Sequence, residues 1–318
     1  MYKKMLILCL LILQSACTNN IDLLSVAESE KPLFGKIKLW EIEKFSEELY
    51  AFRYTFYRNI FLIGDEGIIV TDPLTEEAAN ILFNEIKKIS DKPIMYVAYS
   101  HSHWDHVSGG QIFKDNGARF VAHEKCLENW IENPNDKVVE PDLVFSNQYE
   151  IDVGNSSLEM YYFGPSHDNC RVAFLTQPDR YIFIADDVNP PNGMNMIYGA
   201  GLADTYIFNL IPFFKNVESL AKRKNAKGVI GSHMNFENQP MNLVSGTVGP
   251  VRIIREQRRF YELVINEVQK ALDTGIDPKT IPDYLIDKGV LKNEIIGFDE
   301  EKMRILYRRI TNFLLTGE

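Results

Sequence analysis

Three histidines and an aspartate lie within six residues, directly after an apolar stretch at 94–98. In extended backbone, residues two apart point to the same side, so His101 and His103 present two imidazoles together. Two neutral imidazoles with one more nitrogen suit Zn²⁺ and leave a fourth position open for water. Asp105 and His106 follow where a turn must begin, which aims them at a second position nearby. The spacing therefore predicts a metal site with room for a second ion.

Three further candidate ligands come later in the chain, each after a β-rich run. His167 follows the run 158–163, Asp186 follows 181–185, and His233 follows 228–230. The chain has six histidines, so these positions and the first cluster account for five of them. The remaining histidine, at position 123, is interpreted as structural.

The segment His101-Ser102-His103-Trp104-Asp105-His106 matches the His-x-His-x-Asp-His signature of the metallo-β-lactamase fold superfamily, and the later residues follow in the family's order. The chain resembles this family over about residues 36–240. The resemblance implies an α/β fold, a four-layer αβ/βα sandwich of two mixed β-sheets with a C-terminal helical extension. It also implies a ligand set for two metals. His101, His103 and His167 would hold the first metal, Asp105, His106 and His233 the second, and Asp186 would bridge them, with Asp187 as the rival for the bridge.

The resemblance further implies a hydrolase with two Zn²⁺, or iron or manganese instead. Such ions would activate a hydroxide that attacks an ester-like bond of a small molecule, for example a lactone or a thioester. Asp105 is the candidate to orient this nucleophile and move its proton. A bridging Asp186 resembles lactonase- and thioesterase-type members more than β-lactamases. β-Lactam hydrolysis stays as one alternative, a mononuclear iron oxidoreductase of the persulfide dioxygenase type as another, and a binding protein on the same fold as a third.

Three other residues have two readings each. Tyr198 lies in the Gly-, Met- and Pro-rich segment 189–202, which is either an active-site lid or an ordinary surface connection. In a lid, Tyr198 would be a hydrogen-bond donor to the substrate or an oxyanion. Asp72, at the end of a β-rich run, either orients a ligand histidine or caps a turn. Cys170 is interpreted as strand packing rather than as a metal ligand.

The elements that must position these residues alternate between strands and helices, with hairpins mixed in. This order predicts two sheets covered by helices rather than one doubly wound sheet. Strands are predicted at 49–54, 59–63, 67–70, 93–99, 118–122, 158–163, 172–176, 181–185 and 228–230, and helices at 75–89, 205–224, 251–272, 278–288 and 301–315. We expect one domain over 32–318 that includes the helical tail from about 250.

The N-terminus has the pattern of a signal peptide over residues 1–16. Lys3 and Lys4 precede an apolar run at 5–13, which is too short to span a membrane. Cys17 resembles the lipidated cysteine of bacterial lipoproteins, and ordinary secretion is the alternative. We therefore expect an exported protein, held by a lipid on Cys17 to a bacterial membrane and facing the periplasm or cell exterior, with residues 17–31 as a tether.

Loss of residues 1–16 and anchoring through Cys17 would leave Cys126 and Cys170, which could pair in an exported protein or serve as small core residues. Loss of residues 1–16 would also remove two lysines and change the formal net charge from −10 to −12.

An acidic chain of this kind disfavours nucleic acid as a partner, so we expect a small-molecule substrate. The hydrophobic content of 45% excludes a disordered chain. The sequence leaves the oligomeric state open.

Overall fold

Two β-sheets pack face to face in the computed structural model, and helices cover both outer faces. The structure describes residues 38–188, 190, 192–197, 199–233, 235–237, 242–244 and 248–317. The predicted signal peptide, Cys17, the tether and Tyr198 lie outside these residues. Along β2 (Leu49–Tyr54), alternate side chains face opposite sides of the sheet. Leu49 and Ala51 face the other sheet, whereas Tyr50, Phe52 and Tyr54 face the helices.

The first sheet has seven strands in chain order. Its strands are β1 (Trp40–Lys44), β2, β3 (Tyr57–Ile63), β4 (Ile68–Thr71), β5 (Ile94–Ala98), β6 (Arg119–His123) and β7 (Leu143–Phe145). Pairing is antiparallel from β1 to β4 and parallel from β4 to β7.

The second sheet has six strands in the order β15-β12-β11-β10-β9-β8. Its strands are β8 (Gln148–Asp152), β9 (Ser157–Tyr162), β10 (Val172–Gln177), β11 (Tyr181–Ile184), β12 (Gly228–Gly231) and β15 (Val248–Gly249). Only β11 and β12 run parallel, with the other neighbours antiparallel. A separate hairpin joins β13 (Asn235–Glu237) to β14 (Asn242–Val244). Both sheets are therefore mixed, as predicted.

Eight helices lie within the described residues. They are α1 (Glu76–Ile89), α2 (Trp104–Val107), α3 (Gln111–Asp115), α4 (Glu124–Glu132), α5 (Ile207–Arg223), α6 (Arg252–Asp273), α7 (Ile281–Asp287) and α8 (Glu300–Thr316). Thr75 caps α1, its hydroxyl accepting from the Ala78 amide. No helix in the described part of the chain is both long and apolar enough to cross a bilayer.

Three apolar clusters separate the layers of the molecule. One cluster fills the space between the two sheets, and a second lies between the first sheet and α1, α3 and α4. The third lies between the second sheet and the helices α5 to α8. This order of helix, sheet, sheet and helix confirms the four-layer sandwich with a C-terminal helical extension.

The predicted strand and helix bounds agree with the structure to within a few residues. The sequence interpretation omitted the four edge strands β1, β7, β8 and β15, the hairpin of β13 and β14, and α4, all of which are short. The structure also decides the question left open for the cysteines. Cys126 in α4 and Cys170 before β10 form a disulfide, with their Cα atoms 5.3 Å apart, and both side chains are buried in the same cluster.

Candidate metal centre

The candidate ligands lie at the carboxyl ends of strands, where both sheets open at the same edge. His101 follows β5, His167 follows β9, Asp186 follows β11 and His233 follows β12. Strands β11 and β12 are parallel, and β9 runs in the same direction because β10 is antiparallel to both of its neighbours. The sheet topology therefore gathers side chains that are far apart in the sequence.

Asp186 occupies the middle of this cluster and directs one carboxylate oxygen to each half. Its Oδ2 lies 2.9 Å from His101 Nε2 and 3.2 Å from His167 Nε2. Its Oδ1 lies 3.1 Å from His106 Nε2 and 2.5 Å from His233 Nε2. A carboxylate in this arrangement can bridge two cations.

The remaining ligand atoms complete two groups. His103 Nδ1 lies 3.1 Å from His167 Nε2 in the first group, and Asp105 Oδ2 lies 3.5 Å from His106 Nε2 in the second. Within each group all ligand atoms lie within 4.8 Å of one another. The two groups are His101, His103, His167 and Asp186, and Asp105, His106 and His233. The structure thus brings together all seven ligands predicted from the sequence, in the predicted division.

Burial and mutual charge set the protonation of these groups. Burial lowers the pKa of His101 to about 4 and also lowers that of His103, so both imidazoles are neutral, as metal ligation requires. His106 is equally buried, but the charges of Asp186 and Asp105 outweigh burial and raise its pKa to about 10. Burial opposes the charge of Asp186, yet the surrounding histidines hold the pKa of this carboxyl well below its usual range.

The donor set fits divalent cations. The buried Nε2 of His101 lies close to Asp186 but forms no hydrogen bond, so its lone pair is free to bind a cation. Five imidazoles and two carboxylates are the nitrogen and oxygen ligands of zinc sites with a further position for water or substrate. The four ligand loops, after β5, β9, β11 and β12, therefore form a centre in which Asp186 can serve two ions.

Asp187, the rival for the bridging position, has another partner. Its carboxylate forms a buried ion pair with Arg171, and the same guanidinium donates to the carbonyl of Ala185 and to the hydroxyl of Ser166. Asp186, in contrast, is held by Ser232, whose Oγ lies 3.0 Å from its amide and 3.1 Å from its Oδ1. The structure therefore places Asp186, and not Asp187, between the two ligand groups. The signal in the sequence was the position of Arg171 directly before the apolar strand β10, where a buried charge needs a buried acid.

Asp72 acts on the first ligand loop through the backbone. It is fully buried, and its Oδ1 accepts a hydrogen bond from the Ser100 amide at 2.8 Å. The Ser100 hydroxyl in turn lies 2.8 Å from His101 Nδ1. Burial raises the pKa of Asp72 to about 6. Asp72 is therefore connected to the ligand histidine His101 through Ser100, which stands between them.

Asp168 is a supporting residue that the sequence analysis missed. Its Oδ2 accepts a 2.9 Å hydrogen bond from the Ser102 amide as well as a contact from the Ser102 hydroxyl. Its Oδ1 accepts from the Cys170 amide at 2.5 Å. One buried carboxylate thus ties the loop of His101 and His103 to the loop of His167. Its only signal in the sequence was its place next to His167.

A cavity of about 590 Å³ opens over the centre. The metal-centre residues on its floor include His103, Asp105, His167 and His233. One wall comes from Tyr57 in β3, whose ring contacts the rings of His106 and His233 edge-on. This residue was not among those predicted from the sequence.

The opposite walls of the cavity come from segments outside the ligand loops. The described part of 189–202 contributes Met196, Ile197 and Leu202, and α6 contributes Gln257 and Tyr261. The Met194–Met196 stretch is fixed to the tail by backbone hydrogen bonds, from Met196 to the Ile296 carbonyl and from Ile296 to the Met194 carbonyl, both 2.9 Å. The described part of this segment therefore forms a wall of the cavity that is fixed to the tail.

Known proteins with related sequences include a demethylase subunit and a metallo-beta-lactamase. The chain is 24% identical over 135 residues to the 2,4-dinitroanisole O-demethylase subunit alpha of Nocardioides sp. (strain JS1661), covering 42% of this chain and 41% of the relative. It is 23% identical over 210 residues to Metallo-beta-lactamase type 2 of Elizabethkingia meningoseptica, covering 63% and 80%. The chain thus spans less than half of the first relative and most of the second.

The solved structure of a metallo-beta-lactamase from Pontibacter korlensis superimposes with a TM-score of 0.59 at 19% identity, over 70% of this chain and 99% of that one. This likeness concerns the fold. The sequence profile of the Metallo-beta-lactamase superfamily matches residues 53–227, which contain both sheets' central strands and six of the seven ligands. This protein therefore belongs to the metallo-beta-lactamase superfamily.

Proposed function

We propose that this protein is an exported hydrolase that uses two zinc ions to cleave an ester-like bond, such as a lactone or thioester, in a small uncharged molecule. The observation that carries the proposal is the position of Asp186, with one carboxylate oxygen facing the nitrogens of each ligand group. Zinc held by such ligands lowers the pKa of bound water to about 7 and polarises a carbonyl oxygen. Iron or manganese would fit the same donors.

Asp105 has the position expected of the group that orients the attacking water and takes its proton. It is the most exposed of the candidate ligands, with 44% of its side chain accessible, and it lines the cavity. Its neighbour His106 is fully buried, so the two consecutive residues have different roles. His106 anchors the second group, while Asp105 stays within reach of substrate and solvent.

The charge of the cavity supports an uncharged substrate. Among the described residues that line it, none is lysine or arginine. The sequence itself has no lysine or arginine over 186–214 or 228–251, the stretches that contain Asp186 and His233. Asp204 lines the cavity in addition to the centre's own carboxylates. An anionic substituent away from the metals would have no partner here, whereas the apolar side chains of Met196 and Leu202 suit a neutral one.

β-Lactam hydrolysis is the second candidate. It is favoured by the relative named Metallo-beta-lactamase type 2, of which this chain covers 80%. Because β-lactam antibiotics carry a carboxylate, the absence of basic lining residues among the described positions argues for the neutral ester instead. A mononuclear iron oxidoreductase is the remaining alternative.

The test is hydrolysis of a substrate panel by zinc-loaded protein produced without residues 1–17. The panel contains lactones, thioesters, β-lactams, phosphodiesters and sulfate esters. We expect activity on neutral lactones or thioesters, with about two zinc ions per chain, and a loss of at least about a hundredfold in His103→Ala. Exclusive β-lactam cleavage, one tightly bound iron without zinc, or full activity in folded His103→Ala would each contradict the proposal.

The proposal includes export and attachment to a membrane through Cys17. The disulfide between Cys126 and Cys170 supports export, because disulfides persist in oxidising compartments. The measurement is cell fractionation together with mass spectrometry of the mature N-terminus. A Cys17→Ser variant should be released from the membrane if the cysteine carries the lipid.

A further inference from the structure

The helix α4 directs one of its faces to the loops that carry the first ligand group. Cys126, Asn129 and Trp130 are three and four residues apart, so their side chains lie on the same side of this helix. Cys126 and Trp130 are buried in the apolar cluster between the first sheet and its helices. Asn129 and Trp130 each end in N–H donors, and neither belongs to the candidate ligands.

Ser102, which separates two histidines of the first ligand group, is held at each of its polar groups. Its amide donates to Asp168 Oδ2 at 2.9 Å, and its hydroxyl donates to the same oxygen. Its carbonyl accepts from the Trp130 indole at 3.0 Å, and its hydroxyl oxygen accepts from Asn129 Nδ2 at 3.0 Å. A residue bonded at its N–H, its C=O and its side chain has little freedom to rotate, so the direction of the histidine on each side is fixed.

Asn129 also contacts the loop that carries the third histidine of the group, His167. Its Nδ2 donates to Asn169 Oδ1 at 2.7 Å, and Asn169 Nδ2 donates back to Asn129 Oδ1 at 2.9 Å. The next residue of this loop, Cys170, forms the disulfide with Cys126 on the same helix face. One face of α4 therefore contacts both loops that supply imidazoles to the first group.

We propose that Asn129 and Trp130 are positioning residues that set the affinity of the first ligand group for its ion. They act through Ser102 and Asn169, which fix the distance between the two loops and hence between the imidazoles. The second group should depend on α4 much less, because its ligands come from α2 and from the loop after β12. This inference rests on the metal centre of the proposed function, but it concerns metal binding and not the reaction.

The experiment measures the stepwise zinc dissociation constants of the full-length protein by competition with a chelator, without any substrate. His103→Ala assigns one constant to the first group, and His233→Ala assigns the other to the second group. Trp130→Phe keeps an aromatic ring and removes the indole donor, and Asn129→Ala removes the contacts to both loops. We expect each of these two variants to raise the zinc dissociation constant of the first group by about tenfold and that of the second group by less than about twofold.

Tyr307→Phe is the matched control. The hydroxyl of this buried residue in α8 donates to the Val290 carbonyl at 3.0 Å, so the variant removes one hydrogen bond to a backbone carbonyl, as Trp130→Phe does. It should lower the melting temperature and leave both zinc dissociation constants unchanged. The visible absorption spectrum of the cobalt-substituted protein reports the ligand geometry, and it should change in Trp130→Phe but not in Tyr307→Phe.

A lower melting temperature with an unchanged zinc constant of the first group and an unchanged cobalt spectrum in Trp130→Phe and Asn129→Ala would overturn the proposal, because α4 would then have a structural role alone. If either variant does not fold, Ser102→Ala, which removes only a hydroxyl, replaces it. It should raise the zinc constant of the first group by at least about threefold, and an unchanged constant would again overturn the proposal.

The two proposals fail in different ways. Inactivity toward the substrate panel, with the zinc constants as expected, would contradict the proposed reaction alone. A wild-type protein that binds no zinc would overturn both.

Discussion

At the scale of single residues, two adjacent aspartates have different tasks. Asp186 faces four histidines across the two ligand groups, and Asp187 neutralises the buried Arg171. The backbone of Asp186 has a positive φ of 68°, an unusual conformation for a residue with a side chain. This turn directs two consecutive carboxylates to different partners, the histidines for Asp186 and Arg171 for Asp187.

The pair Asp186→Asn and Asp187→Asn separates these tasks. Asp186→Asn removes the charge that both ion sites share, so we expect loss of bound metal and a fall in kcat/KM of at least about a hundredfold. Asp187→Asn leaves the Arg171 charge buried without its partner, so it should cost about 3 kcal/mol of folding free energy and retain metal in the folded fraction. Metal analysis and urea denaturation measure the two effects. Metal loss confined to Asp187→Asn would reverse the assignment.

The protonation of the centre predicts how metal binding depends on pH. His106 has a pKa of about 10 without metal, and the charge of Asp186 outweighs burial to raise the pKa of His167 as well. Both must lose a proton to bind a cation, so zinc affinity should rise with pH through the neutral range. At pH 7.5 we expect release of at least about one proton per protein. Calorimetry in phosphate and in Tris measures it, and equal apparent enthalpies in the two buffers would contradict it.

At the scale of elements, the ligand loops are rigid because neighbouring segments hold them. Asp168 connects the loop after β5 to the loop after β9, and the disulfide connects α4 to the same second loop. The Trp130 indole of α4 also donates to the Ser102 carbonyl at 3.0 Å. The helix α4 thus supports the first ligand group without contributing a ligand.

Removal of the disulfide should destabilise the fold. The bond joins residues 44 apart, for which the chain-entropy relation gives about 4 kcal/mol, and native disulfides typically contribute about 2–4 kcal/mol. We expect a loss of this size in the double variant Cys126→Ser and Cys170→Ser, measured by urea denaturation. Reductant should lower the stability of the wild type by a similar amount and leave the double variant unchanged. Equal midpoints for oxidised and reduced wild type would show that the bond contributes nothing.

At the scale of the whole molecule, the C-terminal helices are part of the body that carries the centre. In the third apolar cluster, Phe260 and Val264 of α6 and Leu306 of α8 pack with Phe213 of α5, next to the second sheet. The same tail fixes the segment over the cavity through Ile296. One set of helices therefore supports both the fold and the shape of the substrate space.

A chain that ends at residue 250 should not fold. It would lose α6 to α8 and expose the apolar face of the second sheet and of α5 to water. We expect insoluble protein or a molten state without a cooperative thermal transition, as measured by solubility and circular dichroism beside the full-length chain. A soluble truncated protein with a sharp transition would show that the tail is dispensable for folding.

The sequence by itself determined the strands, most helices and the seven candidate ligands, because these depend on local patterns. A run rich in aromatic and apolar residues indicates a strand such as β2, and a dense run such as 101–106 has few uses other than metal binding. Edge strands such as β7, which has three residues, are too short to show a periodic pattern, which is why they were missed.

Only the tertiary structure decided which residues act together across long separations. It paired Arg171 with Asp187, joined Cys126 to Cys170, made Asp168 a link between two loops, and placed Gln257 on the wall of the cavity. These contacts arise from the packing of two sheets and the return of the tail. No local spacing in the sequence encodes a meeting between residues that the fold alone brings within hydrogen-bond distance.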